Sequence, residues 1–179
     1  MAPSSAVALP GLRLRSERVD IEALYRGSRD DVYAYVASML RDPAAAEDVT
    51  ALAFERALRR ASSFDPRRGS QRAWLFGIAR NAALDELRRR SRTAALSAEP
   101  TASDRAAPAE EAERAADRVA VRSALAGLPE RERELVALKF HAGLDNSELA
   151  SVLGVSASAA GTQLHRVITK LRKAVDADA

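Results

Sequence analysis

Trp74, Asn81 and Arg88 recur at seven-residue steps within one long helical pattern. At about 100° per residue, Trp74, Gly77, Asn81, Leu84 and Arg88 fall in one sector of that helix. The three functional side chains suit nucleic acid: an aromatic ring for stacking, an amide for a base edge, a guanidinium for phosphate. Immediately upstream lies "FDPRRGS", residues 64 to 70, a loop by its Asp-Pro and its Gly. Its Arg67-Arg68-Gly69 run is suited to hold an unstacked base or a phosphate. The far side of the helix carries Leu75, Ile78, Ala79, Ala82 and Ala83, a stripe that must pack. Core packing is the competing reading for Trp74, because a lone Trp is usually largely buried.

A second set lies in "LGVSASAAGTQLHRVITKLRKAV", residues 153 to 175. Gly154 allows a left-handed turn residue, Val155 is expected to plug the core, and Ser156 can cap the helix that follows. On that helix Ala160, Leu164, Val167, Ile168, Leu171 and Val175 form an apolar stripe. Thr162, Arg166, Thr169 and Lys173 lie opposite. Spacing, turn and cap agree on a helix-turn-helix whose second helix can enter a DNA major groove.

The rest of the composition points away from catalysis. The 179 residues contain no Cys and two His, without zinc spacing, and no nucleophile motif or phosphate-cradling Gly loop. No metal and no cofactor are expected. No secretory signal and no membrane-length apolar run is visible, which predicts a cytoplasmic chain with no membrane insertion. The formal net charge is only +3, but it is unevenly placed. Between residues 64 and 92 eight Arg face three acids, and residues 157 to 175 hold four basic side chains and no acid. Between them, residues 99 to 117 hold six acids against two Arg. Two basic blocks separated by an acidic one predict two polyanion-facing modules on a tether.

The elements that must position these residues read as helices throughout. Residues 1–18 lack periodicity and are expected to form a flexible arm. From Val19 an apolar face repeats through Val32, Tyr35, Val36 and Met39, and Asp42-Pro43 stops one helix and starts the next. Ser70 can cap the helix of Trp74, which is expected to end near Arg90. Residues 93–111 are small, polar and Pro-containing, the composition of a flexible acidic linker. Helical pattern returns over 112–175, where Leu135, Val136, Leu138 and Phe140 are expected to face a core, Gly143 to end that helix, and Asn146 or Ser147 to cap the next. Residues 176–179 are a tail. The fold class expected is all-α: two small helical domains, 19–92 and 112–175, joined by the linker.

With these residues in hand, "FDPRRGSQRAWLFGIARNAALDELRRR" and "LPERERELVALKFHAGLDNSELASVLGVSASAAGTQLHR" together resemble the bacterial sigma-70 initiation factors, in particular the extracytoplasmic-function group. The resemblance implies that 19–92 is a region-2 module, which grips core RNA polymerase and opens the −10 element. It places Phe64, Arg67, Arg68, Ser70, Trp74, Arg80, Asn81 and Arg88 at the −10 DNA, with Asn81 and the 64–70 loop capturing a flipped base. It implies that 112–175 is a region-4 module, reading the −35 element with Ser158, Thr162, Gln163, His165, Arg166, Lys170 and Lys173. It assigns polymerase contacts to Asp48, Ala51, Leu52, Phe54 and Glu55. The implied partners are core RNA polymerase, through the clamp and flap of its large subunits, promoter DNA, and an anti-sigma factor.

Two departures from the family pattern stand out. Ala51 and Leu52 occupy positions where the family usually carries Gln-Glu, and Gly161 and Gln163 replace commonly basic residues. They keep two further readings open: a sigma-like interaction protein that binds polymerase or a regulator without opening promoters, and a stand-alone helix-turn-helix regulator.

Overall fold

The structure, a computed structural model, describes residues 19–96 and 112–177. Among the described residues seven α-helices follow in order: α1 (Ile21–Leu40), α2 (Pro43–Arg60), α3 (Gln71–Leu96), α4 (Ala112–Ala126), α5 (Glu130–Phe140), α6 (Asn146–Leu153) and α7 (Ala157–Ala177). Two 3₁₀ turns, Ala61–Ser63 and Pro66–Arg68, fill the α2–α3 connection. Among the described residues there is no strand, and the all-α class stands. The expected arm, 1–18, lies outside the described residues, as do 97–111 of the expected linker and the last two residues of the tail.

Local chemistry sets the first three helices. Asp20 caps α1 by accepting from the Ala23 amide at 3.0 Å. Arg41 closes α1 in the left-handed region, at φ 52°. Asp42 then caps α2 at the Ala45 amide, and Pro43 sits in the first turn where no amide is needed. Val32, Tyr35 and Val36 of α1 meet Ala46, Ala53 and Phe54 of α2 and Leu75, Phe76, Ala79 and Ala83 of α3 in a buried core. The alanines let the helix axes approach closely, and Tyr35 and Phe76 meet edge to face at 5.7 Å. α3 runs to Leu96, six residues beyond its expected end. Glu86 bonds Arg89 and Arg90 one turn on, Arg90 reaches back to Asp42 at 3.0 Å, and Thr93 bonds the Arg89 carbonyl. The propensity of the Arg-rich stretch and these pairs carry the helix on into the expected linker.

The second group, α4 to α7, packs around Leu128, Leu135, Leu138, Leu144, Leu149, Ala160 and Val167. Gly154 takes φ 71° between α6 and α7, and Ser156 caps α7 at the Ala159 amide, 3.2 Å away. Three expectations are corrected here. Asp145, rather than Asn146 or Ser147, caps α6, in a reciprocal box with Glu148. Phe140 is 65% exposed, because Leu135 and Leu138 already fill the core side and Phe140 projects onto a surface groove. Val155 is also exposed, facing a cleft against Arg80 and Leu84 of α3 rather than plugging its own core.

The two groups pack on each other, α1 against α5 and α3 against α6. Arg72 is the hub. Its guanidinium donates to Asp31 at 2.6 Å, to Ser28 at 3.1 Å, to the His141 carbonyl at 3.0 Å and to the Ala142 carbonyl, while stacking on Phe76.

Candidate nucleic-acid interface

The stripe on α3 behaves as its periodicity predicts. Leu75, Ile78, Ala79, Ala82 and Ala83 are buried; Asn81 and Arg88 are exposed; Trp74 and Leu84 are half-buried. Trp74 is thus neither pure core nor pure surface. It meets Phe64 edge to face, with ring centroids 5.6 Å apart, at the mouth of a cleft of about 470 Å³. Arg60, Asp65, Arg68 and Asn81 complete the wall on this side, and Ser151 and Val152 of α6 form the opposite side. Asn81 makes no hydrogen bond among the described residues, so its amide is free for a ligand.

The loop below the cleft is held in shape by its own side chains. The Asp65 carboxylate accepts from the Arg67 amide at 3.1 Å and from the Arg67 guanidinium at 3.0 and 3.1 Å. Those bonds hold the Asp65 carboxyl below the usual carboxylate range. Gly69 adopts φ 138°, a region other residues rarely enter, and its would-be Cβ points at Ala73. Ser70 then caps α3 by accepting from the Ala73 amide at 3.1 Å, and its hydroxyl donates to Glu148 of α6. Arg68 stays exposed at the cleft edge, and Arg67 is exposed but turned onto Asp65.

Arg80 departs from expectation. Its guanidinium bonds Glu134 of α5 at 2.6 Å, with the two side chains only 23% and 7% exposed. In this arrangement it faces the second helical group and not open solvent. Tyr35 lies buried beside the pair without a hydrogen bond of good geometry, and burial, reinforced by the Glu134 charge, drives its phenol strongly upward. Arg88 contacts Asp85 loosely, at 3.5 Å.

On α7, Ser158, Thr162, Gln163, His165, Arg166 and Lys173 are all exposed, whereas Ala160 and Val167 are buried. Lys170 is tied to Glu132 of α5 at 2.9 Å, so one of the expected DNA cations is already partnered. Gly161 is set against the start of α6. On α2, Asp48, Ala51 and Glu55 are exposed and Leu52 is half-buried, a continuous outer face. Phe54, expected at the polymerase, differs from its neighbours on this face: it is 7% exposed and packs edge-on against Tyr25 at 4.8 Å.

One surface was missed in the sequence. Val121, Leu125, Phe140, Ile168 and Leu171 line an apolar groove of about 520 Å³, rimmed by Arg41, Arg122 and Arg133. Burial lowers the Arg133 pKa, and the Arg41 charge beside it adds to that. The available signal was Phe140, which stands five residues past Leu135 and off the core stripe.

The sigma-70 region 2 family matches residues 24–93, and the sigma-70 region 4 family matches residues 118–171. This chain belongs to the sigma-70 family. Its relatives place it in the extracytoplasmic-function group. It is 30% identical over 170 residues to the ECF RNA polymerase sigma factor SigK of Mycobacterium ulcerans, covering 91% of this chain and 89% of that one. It is 28% identical over 158 residues to SigL of Mycobacterium tuberculosis, covering 88% and 89%. Among solved structures, CnrH in complex with the cytosolic domain of CnrY aligns at TM-score 0.63 and 27% identity, over 89% of each chain. The fold is also that of the sigma factor RpoE of Bartonella quintana, solved with the anti-sigma factor NepR. That match has TM-score 0.74 and 21% identity, over 89% of this chain and 99% of that one. In sigma-70 terms, α1–α3 carry the region 2 match and α4–α7 the region 4 match. No described helix is long and apolar enough to cross a membrane.

Proposed function

We infer that the chain is a sigma factor that binds core RNA polymerase and directs promoter-specific transcription initiation. The observation that carries the reading is the cleft at the start of α3, where Phe64, Arg68, Trp74 and Asn81 converge. Its chemistry is that of a base pocket: a half-exposed ring to stack on, a free amide for a base edge and a guanidinium at the rim. Unstacking a promoter base costs a few kcal/mol, and pocketing it here offsets that cost. The protein itself catalyses nothing. It lends binding energy to strand separation, and the bond chemistry belongs to the polymerase.

In this reading residues 19–92 act at the −10 element and residues 112–175 at the −35 element. Thr162, His165 and Arg166 present the outward face of α7 to the major groove, and Lys173 reaches phosphate. The outer face of α2, Asp48, Ala51, Leu52 and Glu55, meets the polymerase clamp. Ala51 and Leu52 make that face more apolar than the Gln-Glu pair the family usually carries. The Arg-rimmed apolar groove suits the flap, as an apolar helix with acidic flanks would fill it. The chain works in the cytoplasm, where its promoters are. The two solved relatives, each captured with a partner protein, support an anti-sigma factor as the regulator.

The test is reconstitution. Core polymerase plus this chain is assayed for run-off transcripts and for permanganate-reactive thymines around the start site. Specific transcripts with local melting are expected. Association with polymerase without melting would favour the interaction-protein reading instead.

A further inference from the structure

We propose that the apolar groove between α4, α5 and α7 binds a small amphipathic acid, an aliphatic monocarboxylate whose chain lies along the groove and whose head is held by Arg41 and Arg133. The inference concerns the free chain and stands whether or not the polymerase flap uses this surface.

Two guanidiniums converge at one end of the groove. Nη2 of Arg41 and Nη2 of Arg133 donate to the same acceptor, the Ala126 carbonyl at the end of α4, at 3.1 and 3.4 Å. Arg133 also donates to the Leu128 carbonyl at 2.8 Å. Among the described residues neither Arg forms an ion pair, and no acidic side chain lines the groove. Glu130 acts on Arg133 through its charge alone. Like charges this close repel, and the carbonyls at the helix end offset only part of that. The fold holds them together nonetheless: Arg41 sits in the left-handed region, at φ 52°, where residues other than Gly are uncommon. Nη1 of each Arg has no partner among the described residues. A single carboxylate accepting from both would complete the site with two charge-assisted bonds.

The groove itself selects the other end of the ligand. Val121, Leu125, Phe140, Ile168 and Leu171 present hydrocarbon. Val121 and Phe140 are 43% and 65% exposed, so an alkyl chain laid across them removes apolar surface from water. The volume, about 520 Å³, is that of a small-molecule site. A nucleotide is disfavoured, because the polar edge of its base would lie unpaired on hydrocarbon. An alkyl chain carries no such groups. A ligand seated here covers the surface offered to the flap, so the two exclude each other.

The probe is sodium decanoate, titrated into the free full-length chain by isothermal calorimetry, beside 1-decanol and decyltrimethylammonium. One decanoate per chain is expected to bind saturably, with the neutral and cationic probes at least about ten-fold weaker. Arg41→Gln, at an exposed position, should weaken decanoate by about ten-fold and leave decanol unchanged. Val121→Glu, also exposed, sets an acid on the hydrocarbon wall and should weaken both probes. Circular dichroism melts establish that each variant is folded. The proposal is overturned if wild type shows no saturable decanoate binding, if the three probes bind alike, or if folded Val121→Glu binds decanoate as wild type does. Run-off transcription in the absence of decanoate tests the sigma-factor reading separately, so either can fail alone.

Discussion

Gly161 of α7 lies against Asn146 of α6, where a Cβ would come within 3.2 Å of the Asn146 amide nitrogen. The glycine that leaves the recognition helix short of charge thus sits at the junction of the helix-turn-helix. It costs roughly 1 kcal/mol of helix propensity relative to Ala. Asn146 is exposed and can swing away. Gly161→Ala is therefore expected to stabilise the chain by up to about 1 kcal/mol, read as a raised midpoint in thermal unfolding followed by circular dichroism. A lowered midpoint would show that Asn146 is held in place.

Trp74 and Asn81 divide the work of the pocket. Asn81→Ala removes an exposed amide and is expected to impair promoter opening while leaving polymerase affinity and thermal stability unchanged. Trp74→Ala also removes a stacking surface worth about 1–3 kcal/mol per base, so its opening defect should be the larger. Permanganate footprinting beside a polymerase pull-down separates the two quantities. Equal loss of both activities in Asn81→Ala would count against base capture.

Arg166 and Lys170 stand one turn apart on α7 but differ in company. Lys170 is paired with Glu132, whereas Arg166 faces out without a partner among the described residues. Arg166→Ala is expected to weaken promoter binding by the holoenzyme and to lower its salt dependence by about one unit of slope. Lys170→Ala should do less of both. The measurement is holoenzyme affinity for a −35-containing duplex across a salt series.

On α2, neighbouring positions should separate fold from contact. Phe54→Ala is expected to cost about 3–5 kcal/mol of stability by opening a cavity under Tyr25. Ala51→Asp alters only the exposed face and should leave the melting temperature alone while weakening capture of core polymerase. A stability loss in Ala51→Asp would remove it from the contact surface.

Acid should loosen the far end of α3. Hydrogen bonds from Arg89 first and Arg90 second pull the Glu86 pKa down to about 2, against the opposing effect of burial. A carboxyl depressed in the folded state lends stability above its unfolded pKa, near 4.3, and that stability drains away as pH falls toward about 2. Melting temperature should therefore fall between pH 5 and pH 2 more steeply in wild type than in Glu86→Gln, at about pH values set by those two pKas.

How much of this was legible beforehand depended on the period of each segment. The buried stripe of α3 and the apolar side of α7 repeat cleanly, so Leu75, Ile78, Ala83 and Val167 declared themselves. Gly154, Ser156 and Ser70 did the same through turn and cap chemistry. Phe54 and Arg80 did not. Phe54 stands between the fully buried Ala53 and the exposed Glu55, and its seat in the core, edge-on to Tyr25 of α1, is a tertiary contact. Arg80 reads as a free cation until Glu134, fifty-four positions away, comes to meet it. Phe140 and Val155 failed for a related reason: each looks like core within its own helical group, and each instead faces a groove or cleft formed with another part of the chain. Pairing across that distance leaves no local periodic trace.

The Ser70 and Glu148 side chains each serve their own helix as well as each other. Ser70 still accepts from the Ala73 amide, and Glu148 still accepts from the Asp145 amide, when the bond between them is broken. Separating the two halves therefore frays neither helix start. The two halves can part and re-engage without unmaking either cap.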